Sequence, residues 1–197
     1  MRGLSWWPVL VPPAVGLAVM QVGLALADPP GAPALVRLLR MVALLPAVGL
    51  AFVLDDPSHP TVEPAPVSLL RRRAARVALA GAVLVGWWSA VLLSVRLWLP
   101  DTRWPVAALT LEVVTMAAAG CAAAAIAGRR AAERRGAVIA APVVLALAGT
   151  ATVLPAPVAL LVEPGDPAWV AAHGRWLGVL GLAVLCFLVM SRDPARR

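Results

Sequence analysis

Residues 105–128 read PVAALTLEVVTMAAAGCAAAAIAG, and this stretch decides the fold. It carries one charge, Glu112, and its apolar residues cover every helical face instead of a single stripe. A helix that is apolar all round belongs in lipid or in the centre of a large core. At about 1.5 Å per residue, the stretch is long enough to cross hydrocarbon about 30 Å thick. Lipid offers the backbone no hydrogen-bond partners, so a spanning segment of this kind is predicted to be an α-helix.

Similar runs lie on both sides of it. Together they predict six spans, at residues 8–27, 33–54, 77–99, 105–128, 137–154 and 174–190. The whole chain agrees: of 197 residues 61% are apolar and only 14% charged, whereas a soluble domain is roughly a quarter charged. That composition excludes a soluble globular domain, which needs more polar surface, and a disordered chain, which would be polar or strongly charged. The expectation is an all-α polytopic membrane protein, a single transmembrane domain over residues 1–197. No internal repeat aligns between its halves. The first apolar run is read as a span and not as a cleavable signal peptide, because it is long enough to cross. The fifth span is interrupted by Pro155 and Pro157, and the helix is predicted to break near Leu154.

All seventeen cations are Arg, and their placement sets the orientation. With the N-terminus inside, the cytoplasmic segments hold Arg2, Arg71, Arg72, Arg73, Arg76, Arg129, Arg130, Arg134, Arg135, Arg192, Arg196 and Arg197. The outer segments hold Arg37, Arg40, Arg96, Arg103 and Arg175. Cytoplasmic segments of membrane proteins are enriched in Arg, so both termini are predicted to be cytoplasmic. The same asymmetry accounts for the net charge of +7 without a nucleic-acid surface. Trp6 and Trp7 fall at the inner interface and Trp98, Trp104, Trp169 and Trp176 at the outer one, where amphipathic rings prefer to sit. Trp87 and Trp88 lie inside the third span, read either as helix packing or as the lining of an apolar path. The absence of Lys and the abundance of Ala, Val, Pro and Gly suggest a GC-rich coding sequence of actinobacterial type.

Signals for catalysis are few. There is no phosphate-binding loop, no Gly-x-Ser-x-Gly turn and no His-Glu pair on one helix. His59 and His173 are placed in loops on opposite sides of the membrane. Cys121 and Cys186 lie in apolar runs without metal-ligand spacing and read as buried hydrophobes. No enzyme activity, cofactor or metal is expected. Glu112 is the single acid of the six spans, and Arg37 and Arg40, three apart, point from the second span at similar depth. An unpaired ion there costs several kcal/mol, about 2.5–3.5 on insertion scales, so Glu112 is expected to pair with Arg37 or Arg40, Arg96 being a rival partner. Two readings stand for this polar site: a substrate headgroup site, or a structural pair that orients helices. Gly120, Ala124 and Gly128, four apart, form a small-residue surface suited to close helix approach.

The longest cytoplasmic loop, residues 55–76, reads DDPSHPTVEPAPVSLLRRRAAR. Its prolines stiffen the first half. From Val67 onward, Val67, Leu70, Ala74 and Val77 fall on one helical face while Arg71, Arg72, Arg73 and Arg76 cover the rest. This predicts a short amphipathic cytoplasmic helix between spans two and three, which serves either as an anchor on membrane lipids or as a coupling element.

The acidic-Pro start followed by LLRRRAAR at the mouth of a span resembles the cytoplasmic loop of ABC-2-type permeases, particularly small actinobacterial permease subunits encoded beside a separate ATPase. The stretch DPAWVAAHGRWLGVLGLAV, from Asp166, is similar to the outer loop and last span of such proteins. The resemblance implies the permease subunit of an ABC transporter, an exporter, in the plasma membrane. It implies an ATP-binding subunit as partner and a homodimer or a heterodimer with a second permease. In that setting Asp55, Asp56, Val67, Leu70, Arg71, Arg72, Arg73 and Arg76 would contact the ATPase. Two alternatives stay open: a non-transporting membrane anchor or assembly protein, and an ion-coupled secondary transporter using Glu112 with Arg40.

Overall fold

The computed structural model describes residues 7–26, 31–54, 68–101, 104–130 and 136–192. Among them are six α-helices: α1 (Trp7–Leu26), α2 (Ala32–Ala51), α3 (Leu69–Trp98), α4 (Val106–Arg130), α5 (Gly136–Val153) and α6 (Trp169–Met190). Short 3₁₀ turns at Phe52–Leu54 and Ala156–Val158 follow α2 and α5, and the described residues include no strand. Five helices are long and apolar enough to cross a membrane; the apolar part of α5, Ala140–Val153, is shorter. The chain is an all-helical, multi-pass membrane protein.

Local chemistry sets the helix ends. Ser68 caps α3, its hydroxyl accepting from the Arg71 N–H. Pro33 stands in the first turn of α2, where its missing N–H costs nothing. The helix α5 ends at Val153, and the 3₁₀ turn after it contains Pro157, in line with the break its two prolines predict. At the start of α6, Asp166 accepts hydrogen bonds from two backbone N–H groups: its Oδ1 from Ala168 at 2.7 Å and its carbonyl from Trp169 at 2.9 Å.

Side-chain contacts fix helix directions. Arg40 meets Glu112, and the Ala47 carbonyl faces Gly120, so α2 and α4 run parallel. Glu112 meets His173, and the Arg129 guanidinium donates to the Arg192 carbonyl, so α4 and α6 are parallel too. Trp87 reaches the Pro13 carbonyl and Gln21 reaches Ser94, so α1 and α3 form a second parallel pair. Leu38 lies at Gly23 and Val42 at Gly16, making α1 antiparallel to α2. One end of the bundle therefore carries Arg37, Arg40, Glu112, Glu163 and His173, and the other carries Arg71, Arg73, Arg129 and Arg192. The centre is α2 against α4, each with 56% of its span buried, whereas only 11% of α6 is buried.

Two expectations change. The short amphipathic helix of residues 67–76 is not a separate piece. From Leu69 it is the opening of a continuous 30-residue helix, because no Pro or Gly interrupts residues 68–80. The last helix begins at Trp169, five residues before the predicted start at 174, because the Asp166 turn nucleates it in polar sequence.

Candidate functional site

The site is built on the first halves of α2, α4 and α6, which the parallel arrangement brings to one level. Glu112 is 1% exposed, among the most buried side chains of the molecule. A carboxylate there demands compensation, and it receives it from two sides. Arg40 donates from Nε to Oε2 at 2.7 Å and from Nη2 to Oε1 at 2.6 Å. This two-pronged geometry matches a planar guanidinium to a planar carboxylate and fixes both. His173 Nε2 stands 3.1 Å from the same Oε1. Its Nδ1 lies 2.8 Å from the Trp169 carbonyl, one turn back on α6. The Trp169 ring packs against the imidazole in a tilted arrangement, centroids 4.3 Å apart and planes at 43°. The Arg40 guanidinium carbon lies 5.9 Å from the centre of the same indole, which adds a cation–π contact. Trp169 thus covers the cluster on one side.

Beside the pair, a narrow crevice is lined by Leu39, Ala43, Trp88, Leu109, Val113 and Met116 together with Arg40 and Glu112. It is too tight to hold a water molecule. The Trp88 indole N–H donates to the Thr110 hydroxyl at 2.9 Å and Trp87 to the Pro13 carbonyl at 2.8 Å. Both indoles are buried; they pack between helices instead of facing a path.

Arg37 does not join the buried cluster. It is exposed and forms an ion pair with Glu163, in the loop between α5 and α6. Glu163 opens a turn in which Pro164 and Gly165 are the central residues, with Gly165 at φ +91° and the Asp166 N–H returning to the Glu163 carbonyl. Only a residue without a Cβ takes that φ cheaply. Arg96, the rival partner for Glu112, instead donates to the Pro100 carbonyl. The loop is further held by Trp176, whose indole donates to the Leu160 carbonyl at 2.9 Å, and by Arg175, which donates to Ala159.

At the opposite end, Arg73 Nη1 donates to the Met190 carbonyl at 2.9 Å and approaches the Ser191 hydroxyl at 3.4 Å. It satisfies the open end of α6, where a cation is favoured. Of the other residues expected to contact a partner, Leu70 and Arg76 lie on α3 partly buried, Arg71 is exposed and Arg72 is partly buried. Asp55, Asp56, Val67 and His59 lie outside the described residues. Among the described residues no three His, Cys, Asp or Glu side chains gather as a metal site, and Cys121 and Cys186 are free thiols.

Sequence reasoning missed His173 and Trp169. Counting His173 as a loop residue removed it from consideration, although its i, i+4 spacing from Trp169 was the available signal. A buried, three-helix polar cluster in an all-α multi-pass membrane protein is the class that fold and site define. Comparison with protein-family models, curated proteins and solved structures finds no match.

Proposed function

We propose that this chain is the membrane-spanning subunit of an ABC-2-type transporter, an exporter whose work is supplied by a separate ATP-binding subunit. The observation that carries the reading is the unbroken α3. Its 30 residues reach about 45 Å at about 1.5 Å per residue, against hydrocarbon about 30 Å thick. The surplus is its arginine-bearing start, on the side that the positive-inside rule assigns to the cytoplasm. An unbroken helix passes a displacement of that start to its far end, and Arg73 passes it to the end of α6 as well. Asp55 and Asp56 are assigned to the same partner contact in this reading. In this reading ATP hydrolysis belongs to the partner, the chain is no enzyme and holds no cofactor, and it works in the plasma membrane as a homodimer or beside a second permease.

The test is isolation of the chain from its native membrane in mild detergent. A P-loop ATPase is expected to co-purify at fixed stoichiometry. Arg71→Glu should weaken that association while leaving insertion intact; Arg72 and Arg73 are left alone because both already hold a partner. Recovery of the chain with no ATP-binding subunit would instead leave membrane anchoring or assembly as its role.

A further inference from the structure

His173 lies between two acceptors. A backbone carbonyl only accepts, so for Nδ1, 2.8 Å from the Trp169 oxygen, to be hydrogen-bonded there it carries the hydrogen. The other nitrogen, Nε2, then faces Glu112 Oε1 at 3.1 Å. A neutral ring protonated at Nδ1 would present a lone pair to an ionised carboxylate, and the contact would repel. A hydrogen bond there needs one more proton, on Nε2 or on the carboxyl. Arg40 donates two bonds to the carboxylate oxygens, which leaves that proton on Nε2 and makes the cluster a guanidinium–carboxylate–imidazolium chain.

We propose that Glu112 and His173 together form a proton-binding site, with Arg40 as the fixed counter-charge of the Glu112 carboxylate. A bound proton holds the starts of α4 and α6 together, and its loss frees them. The proton leaves from the Nε2–H···Oε1 bond through His173, whose side chain is 12% exposed against 2% for Glu112. Glu112 keeps Arg40, so the α2–α4 contact survives, and the α4–α6 contact loses its one polar bond at this level.

The surrounding groups leave this proton to the pair. From α2, Arg37 is paired with Glu163. From α6, Arg175 is directed to the Ala159 carbonyl. From α3, the Trp88 indole is bonded to Thr110 and Arg96 to Pro100. Asp101 and Asp166 are exposed in turns. The proposed α4–α6 contact is therefore made while the pair holds its proton and lost when the proton leaves. By the positive-inside assignment this end of the bundle faces outward, so the proton sensed is an external one. This holds with or without an ATPase partner.

The experiment uses the full chain in lipid nanodiscs, with Cys121→Ala and Cys186→Ala, and with His59→Gln to leave one histidine. Ring-nitrogen NMR of His173 and the distance between spin labels at positions 107 and 170 are followed from about pH 4 to about pH 10, spanning the range in which imidazoles titrate. Two protonated ring nitrogens are expected at low pH, then a single one-proton step. The same step should lengthen the label distance by about 1–5 Å, the scale of helix shifts at packed interfaces. His173→Gln keeps an N–H donor without a titrating proton and should abolish the step in distance. Because Glu112→Gln risks misfolding, the histidine variant decides. The proposal is overturned by a ring that is neutral beside an ionised Glu112 at the lowest pH, by a distance that stays constant through the ring titration, or by a step that persists in His173→Gln.

Discussion

Arg37 and Arg40 stand three residues apart on one helix, yet their surroundings give them unequal weight. The Arg40 side chain is 10% exposed and that of Glu112 2%, so removing either partner strands a buried charge. Glu112→Gln is expected to destabilise the chain by about 3–5 kcal/mol, read as a lower thermal midpoint and lower yield in detergent. Arg40→Lys should recover part of that, since charge remains but the two-pronged geometry is lost. Arg37→Gln removes an exposed pair and should cost about 1 kcal/mol or less. Equal losses for Arg37→Gln and Glu112→Gln would show that burial does not govern the cluster. The existence of a pair at Glu112 was legible, because a lone acid in a span needs a counter-charge. Which Arg serves depends on the rotation of α2 against α4, and hydropathy does not encode that. His173 was less legible still. The polar turn DPAWVAAHGR hides the start of a helix from any reading that looks for apolar residues first.

At the scale of elements, close approach rests on single glycines. A Cβ added at Gly120 would sit 2.7 Å from the Ala47 carbonyl oxygen, a backbone atom that moves only if α2 moves. Gly120→Ala should therefore push the two central helices apart at a cost of about 1–3 kcal/mol. Gly81 and Gly86 of α3 face open space. Alanine there should be neutral or stabilising by about 0.4–1 kcal/mol, because it restricts the unfolded chain. Thermal unfolding of the three variants in one detergent compares them directly, and a Gly120→Ala protein as stable as Gly81→Ala would contradict the packing of α2 on α4. The small-residue pattern around Gly120 was visible in sequence, and so were the prolines that end α5. The unity of α3 was not. A basic stripe beside an apolar run reads as two environments, and so as two helices. Backbone hydrogen bonding sees only that nothing between Ser68 and Trp98 breaks the ladder.

For the whole molecule, the count of crossings follows from direction more than from hydropathy. The apolar part of α5 is shorter than a full span, and by length alone it could lie on one side. The contacts do not permit that. Starts of α4 and α6 meet through Glu112 and His173, and their ends meet through Arg129 and Arg192. Two helices that run parallel in sequence need a return between them, so α5 with the following loop must carry the chain back along the bundle. Residues 154–162, turned at Ala156–Val158 and fastened to α6 by Trp176 and Arg175, complete that return. Single cysteines on a background lacking Cys121 and Cys186 test this in intact cells with a membrane-impermeant maleimide. Positions 101 and 167, both exposed turns at the Glu112 end, should label together from outside. Positions 71 and 192, at the arginine-rich end, should label only after permeabilisation. Labelling of 101 and 167 from opposite sides would break the parallel pairing of α4 with α6 and remove the polar cluster with it. Labelling of 71 and 192 from outside, with 101 and 167 protected, would keep every helix contact but invert the molecule. The Glu112–His173 proton would then exchange with the cytoplasm and the start of α3 would face away from any ATPase. Orientation is thus the quantity on which the proposed partner and the direction of proton exchange both depend, and the Arg distribution makes one choice between the two arrangements.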